Sequence, residues 1–184
     1  MRLYRIAMLT AAVLGGAAPA LADEDLAARM GSSREVVATF AGALRERLTS
    51  AMADGGSAAA VEACSTATSV TAGWRVGRTS LKPRNPANAP DAWELAVLRD
   101  FERRQRAGED PSTLERAEFV VRDGRRTFRY LKAIPTQPLC TVCHGSRIAP
   151  AVAAAVDRLY AEDRARGFEV GDIRGAFSIT QPAP

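Results

Sequence analysis

The chain predicts an α+β fold, an antiparallel sheet flanked by helices in a single domain. Three observations predict it. Apolar residues recur at three- and four-residue steps over long stretches, the pattern of helices with one buried face. Two β-rich segments bracket Asp123-Gly124, a pair suited to a tight type I′ turn. Helices and strands also come in groups rather than in strict βαβ alternation, which favours α+β over a parallel sheet. With 184 residues there is room for one core and too little chain for two comfortable domains.

The first element is a leader. Residues 1–22, MRLYRIAMLTAAVLGGAAPALA, open with Arg2 and Arg5, continue as an apolar run and end in Ala20-Leu21-Ala22 before Asp23. That is the pattern of a secretory signal peptide, so the mature protein is expected to be exported, in a bacterium to the periplasm. No later segment is apolar for long enough to span a bilayer, so no stable membrane insertion is expected after cleavage. An N-terminal extension over 23–34 precedes the domain proper, 35–184. Ser32 and Ser33 offer an N-cap to a helix carrying Val37, Phe40, Leu44, Leu48 and Met52 on one stripe, ended by Asp54-Gly55-Gly56. Ser57 then caps a second helix reading to about Val70, with Cys64 on its apolar side.

Trp74 and Val76 alternate with polar or small neighbours, as in a short strand. Pro83, Pro86 and Pro90, with Asn85 and Asn88, forbid regular structure after it. Asp91 caps a helix bearing Trp93, Leu95, Leu98 and Phe101, and Gly108 and Pro111 end it. Phe119–Arg122 and Thr127–Ile134 form the hairpin. APAVAAAVDRLY (149–160) is a further helix, and GDIRGAFSIT (171–180) is a last strand with Phe177 and Ile179 on one face. Trp74, Trp93 and Phe128 are expected in the core, and Asp172 and Arg174 are expected to hold the final turn.

Charge gives little direction. Setting aside Arg2 and Arg5 lowers the formal net charge from +4 to +2, so no nucleic-acid partner is indicated. The cysteines say more. There are three, an odd number that cannot complete a disulfide framework, and two of them stand in PLCTVCHG (138–145) with the single histidine. Cys-x-x-Cys-His is the attachment motif of c-type haem. Cys140 and Cys143 would form thioethers and His144 would bind the iron, giving one covalently attached haem c. A thioredoxin-like pair would open a helix inside a βαβ unit, and the surrounding pattern lacks one. A zinc site would force the adjacent Cys143 and His144 onto one tetrahedral ion together with Cys64. The motif lies far along the chain, after a hairpin, unlike the small helical cytochromes c that carry it near the N-terminus.

Three blocks, RTSLKPRNPANAPDAWE (78–94), CTVCHG (140–145) and GFEVGDIRGAFSI (167–179), together with EAC around Cys64, carry a resemblance spanning about residues 35–180. The chain resembles the single-haem c-type PAS-like family, found alone or as the extracytoplasmic part of bacterial signalling proteins. One departure is Ala161, where the family commonly has proline after the tyrosine matching Tyr160. The resemblance implies a PAS-like antiparallel sheet with helices packed round it. It also implies an iron held by histidine on one side and cysteine on the other, here His144 and Cys64. The chain's other conceivable donors are Met30, Met52, Lys82 and Lys132. The lysines would have to be neutral to bind, which is costly with an unperturbed pKa near 10.4.

Arg78 and Arg84, in a proline-stiffened loop, are candidates to pair with the haem propionates. Tyr130 is a candidate hydrogen-bond donor on the distal side. The function expected is a periplasmic haem-binding redox or gas sensor module, not an enzyme, because two protein ligands leave iron no open position. The alternative is an electron-transfer cytochrome serving a periplasmic oxidoreductase. Either role needs a signalling or electron-transfer partner protein that this sequence does not name.

Overall fold

The computed structural model describes residues 18–63, 69–71, 74–122 and 124–183. Residues 1–17, Cys64 and Asp123 therefore lie outside the described residues. The α+β expectation holds. A five-stranded antiparallel sheet has strand order β1-β2-β5-β4-β3, from β1 (Ser69–Thr71), β2 (Trp74–Thr79), β3 (Glu115–Arg122), β4 (Arg125–Pro135) and β5 (Ile173–Pro182). Helices α1 (Ala18–Ala63), α2 (Ala92–Arg106), the short α3 (Thr141–His144) and α4 (Pro150–Leu159) surround it. The arrangement is consistent with a PAS-like sheet.

The last strand is the middle one. β5 pairs with β2 through Val76↔Ile179 and with β4 through Tyr130↔Ile179, so the sheet closes only when the C-terminus arrives. Gly175 permits the closest approach: a Cβ there would lie 2.3 Å from the backbone oxygen of Thr79. Each face then receives a helix. On one, Leu98 and Phe101 of α2 pack with Leu114, Leu131 and Ala176. On the other, Val37 of α1 packs with Phe128, Tyr130, Phe177 and Ile179. Cross-strand alternation produces this division, since neighbouring β4 residues point to opposite faces.

Helix α2 starts as expected. The Asp91 carboxylate accepts from the Glu94 backbone N–H and Glu94 reaches back to the Asp91 N–H, a reciprocal cap. Burial raises the Asp91 pKa, but these backbone bonds and the Arg129 guanidinium outweigh it, so its carboxyl sits below the usual range. Helix α4 ends at Leu159 with Tyr160 already non-helical, although Ala161 replaces the usual proline.

Three expectations are corrected. Ser32 and Ser33 do not cap a helix: α1 runs unbroken through residues 23–34, because Leu26 and Met30 continue the apolar stripe onto the sheet. Met30 is consequently packed, not frayed. The break after Asp54 is a kink within α1 at Gly56, whose φ of 71° suits a residue without a side chain. The described helix reaches Ala63, and Ser69–Thr71, expected within the second helix, instead forms an edge strand on β2, pairing in register with Trp74–Val76.

Candidate haem site

At the end of the sheet, where α1 bends away, a cavity of about 590 Å³ opens between α1, the loop after β2 and the Cys-x-x-Cys-His segment. Leu44, Leu48 and Met52 of α1 give it an apolar wall, joined by Ile134 and Phe177 from the sheet. Cys140, Cys143 and His144 form one side of it. The motif is presented by a 3-10 turn begun at Pro138 and continued by α3, so one tight helical segment carries both thiols and the imidazole. The two thiols are half-buried and not joined to each other.

His144 is fixed by the segment that follows α4. Its Nδ1 lies 2.9 Å from the Ala165 carbonyl, which can only accept, so Nδ1 carries the proton and the Nε2 lone pair is left for a metal. The His144 carbonyl accepts from Phe168 N–H at 2.9 Å, and the Phe168 ring stands edge-on to the imidazole with centroids 6.4 Å apart. Burial first, then the nearby Arg174 and Arg84 charges, push the His144 pKa down to about 3. The imidazole is therefore neutral across ordinary pH, as a metal ligand must be.

The cavity also gathers Arg78, Arg84 and Arg174. Arg174, expected only to hold a turn, is half-buried, with its Nε fully buried. It donates to Ser80 Oγ at 3.1 Å and the Lys82 carbonyl at 3.4 Å, its Nε has no partner, and it makes no ion pair among the described residues. Burial, then Arg84 and Arg78, push its pKa down to about 10. Asp163 is the carboxylate at hand, and it already pairs with Arg84 and Arg166. A flat apolar group with two carboxylates fits this cavity: apolar walls, a neutral imidazole and three converging guanidinium groups.

The sequence-predicted residues divide clearly. Cys140, Cys143, His144, Arg78 and Arg84 all come together on the cavity. Arg84, however, is engaged by the protein: Nη2 donates to the Cys143 carbonyl at 2.5 Å and Nε to Asp163 Oδ1 at 3.1 Å. Cys64 lies outside the described residues, just past Ala60 and Val61 on the cavity wall. Tyr130 is not at the site. It is fully buried on the α1 face of the sheet and donates to Glu115 Oε2 at 2.8 Å, which with burial raises its pKa. Lys82 and Lys132 are tied to backbone carbonyls of Arg166 and Ser112. Among the alternative donors, Met52 alone lines the cavity. Trp74, Trp93 and Phe128 are core residues and do not line it. Sequence reasoning missed Arg174 and Asp163. The only local signal was the charge itself, in two segments whose meeting depends on the fold.

A family model described as Tll0287-like matches residues 22–182. The chain belongs to the Tll0287-like family. Among solved structures, the cyanobacterial heme-protein Tll0287 superposes with a TM-score of 0.53 at 24% identity, covering 83% of this chain and 96% of that one. At that identity the likeness establishes the shared fold of the Tll0287-like proteins. No curated protein matches significantly. Among the described residues no helix of this Tll0287-like chain is long and apolar enough to cross a membrane.

Proposed function

We propose that the cavity holds one covalently attached haem c and that the protein works as an exported redox-responsive or gas-responsive sensing module. The observation that carries this is the neutral His144, hydrogen-bonded through Nδ1 and set beside Cys140 and Cys143 on a cavity rimmed by arginines. The match to a family that includes a heme-protein supports the same reading. Cys140 and Cys143 would hold the haem through thioethers, each S–H adding across a vinyl group with no oxidant needed, and His144 would hold the iron through Nε2. Arg174 and Arg78 would meet the propionates, while Leu44, Leu48 and Phe177 would exclude water.

On this reading Cys64 would be the second protein ligand to the iron. A thiolate donates charge to ferric iron and lowers its potential, and its hold weakens on reduction. Haem would supply the electron-accepting centre, and the chain would supply the ligand pair. With both positions filled by protein, the role is not enzymatic.

Acid–acetone extraction of purified protein should leave the haem on the polypeptide, and haem in the organic phase would overturn covalent attachment. Electron paramagnetic resonance should show a low-spin, thiolate-ligated ferric haem that Cys64→Ala abolishes. Carbon monoxide binding to the reduced wild type supports a sensor with a labile ligand. Reduced protein that stays six-coordinate and ignores carbon monoxide supports the electron-carrier alternative.

A further inference from the structure

We propose that Asp163 and Arg84 form a positioning pair for His144, and that their opposed charges set the redox potential of the site. This rests on His144 being the iron ligand. The segment 163–168 is laid across the motif as a strap. Phe168 N–H donates to the His144 carbonyl at 2.9 Å and Gly167 N–H to the Gly145 carbonyl at 3.0 Å. Ala165 is the point of contact with the ring, its carbonyl accepting from Nδ1 at 2.9 Å.

Asp163 holds that residue in place. Its side chain is only 2% exposed, and Oδ1 accepts both the Ala165 N–H at 3.0 Å and Arg84 Nε at 3.1 Å. Oδ2 accepts Arg166 Nε at 2.8 Å, which ties the strap onward, since Arg166 also pairs with Asp157 on α4. Arg84 closes the circuit from the other direction. Its Nη2 donates to the Cys143 carbonyl at 2.5 Å and lies 3.4 Å from the Ala165 carbonyl, the same oxygen that orients the imidazole. One buried carboxylate and one buried guanidinium thus fix the backbone on both sides of the ring. A hydrogen-bond partner beyond the ligand governs its orientation and basicity.

The two residues act on the iron's charge in opposite senses. Oxidation leaves the His144 ring more positive. A carboxylate at low dielectric favours that state and a guanidinium disfavours it. Losing the Asp163 charge should therefore raise the midpoint potential, and losing the Arg84 charge should lower it. A purely structural role predicts something else: both substitutions would loosen the strap and move the potential in the same direction, or reduce haem loading without changing it.

The test uses the haem-loaded protein. Asp163→Asn keeps an oxygen acceptor for Ala165 N–H and Arg84 while removing the charge. It should retain the wild-type ferric electron paramagnetic resonance g-values and titrate at a higher potential. Asp163→Ala removes the acceptor too and should also broaden the g-values as the ring loses its fixed angle. Arg84→Gln should titrate at a lower potential, and Arg84→Lys should stay near wild type. Should the Asp163 variants fail to mature, the Arg84 pair still decides. Gln and Lys variants that both keep the wild-type potential, or Asp163→Asn and Arg84→Gln shifts of the same sign, overturn the inference. A wild-type protein without covalent haem, or one whose spectrum is untouched by His144→Ala, removes the site itself and is a separate failure.

Discussion

Two arginines, one at each side of the sheet, are treated in opposite ways. Arg129 on β4 faces α2 and is neutralised at once. It pairs with Asp91 at 2.6 Å and Glu94 at 3.2 Å, and its guanidinium lies 4.4 Å from the Trp93 ring centroid. Trp93 in turn donates to Glu118. Arg174 on β5 faces the cavity beside Arg78 and Arg84 and makes no ion pair among the described residues. Each has a buried Nε without a partner, so the contrast lies in charge, not in hydrogen-bond number. Removing an ion from water costs several kcal/mol, and a fold keeps such a cost only where something offsets it. Around Arg129 the offset is built into the chain. Arg174, half-buried at the cavity, has no such carboxylate among the described residues, which leaves its charge open to a bound anion. The α2 face is a finished core, and the α1 end is half of one.

The largest effect should come from denying the cavity its occupant. Cys140→Ser, Cys143→Ser and His144→Ala should each cut the yield of haem-loaded protein sharply. In the haem-free chain, amide exchange should quicken around α1 near Met52 and the motif while Leu98 and Phe101 on α2 stay protected. Equal loss of protection on both faces would erase the distinction between them.

Next is Arg129→Ala. It leaves the largely buried Glu94 and the part-exposed Asp91 without their partner and should destabilise the protein by about 2–3 kcal/mol in urea melts, with the haem spectrum unchanged. Acid should bring a similar loss to the other region. His144 has its pKa pushed down to about 3, well below its ordinary value. The haem-free protein should therefore hold its full His144 contribution above about pH 6.5 and lose it as pH falls from there toward 3, at up to about 1.4 kcal/mol per unit. Urea melts across that window should show the slope, and His144→Asn should flatten it.

Arg174→Gln should separate the regions by sign. Taking away a half-buried charge that has no ion pair among the described residues should stabilise the haem-free chain slightly, whereas the haem-loaded protein should lose about 1–3 kcal/mol as a propionate loses its partner. Its midpoint potential should also fall. A loss of equal size in both forms would place Arg174 with Arg129 as a structural arginine. The smallest effect is expected at Val121, which is 75% exposed on the edge strand β3: Val121→Thr should move stability by no more than about 0.5 kcal/mol.

Local chemistry determined much of this molecule from the sequence alone. Asp91 with Glu94 announced α2, the two β-rich segments around Gly124 announced the hairpin, and Cys140, Cys143 and His144 stood out as a compact motif, because each signal needs only neighbours a few residues apart. The periodicity of α1 was equally legible, yet its start was misplaced at Ser33, since a serine caps a helix or sits buried inside one depending on what packs over it. Strand β1 was hidden for a similar reason: Ser69–Thr71 is a strand only because Trp74–Val76 lies alongside. The roles of the arginines were decided wholly by the tertiary structure. Arg84 meets Asp163 across 79 positions of sequence, and Arg174 meets Ser80 across 94. A guanidinium looks the same in any sequence. Whether it faces a carboxylate, a carbonyl or an open cavity is fixed only when β5 slides between β2 and β4 and brings both ends of the chain to one place.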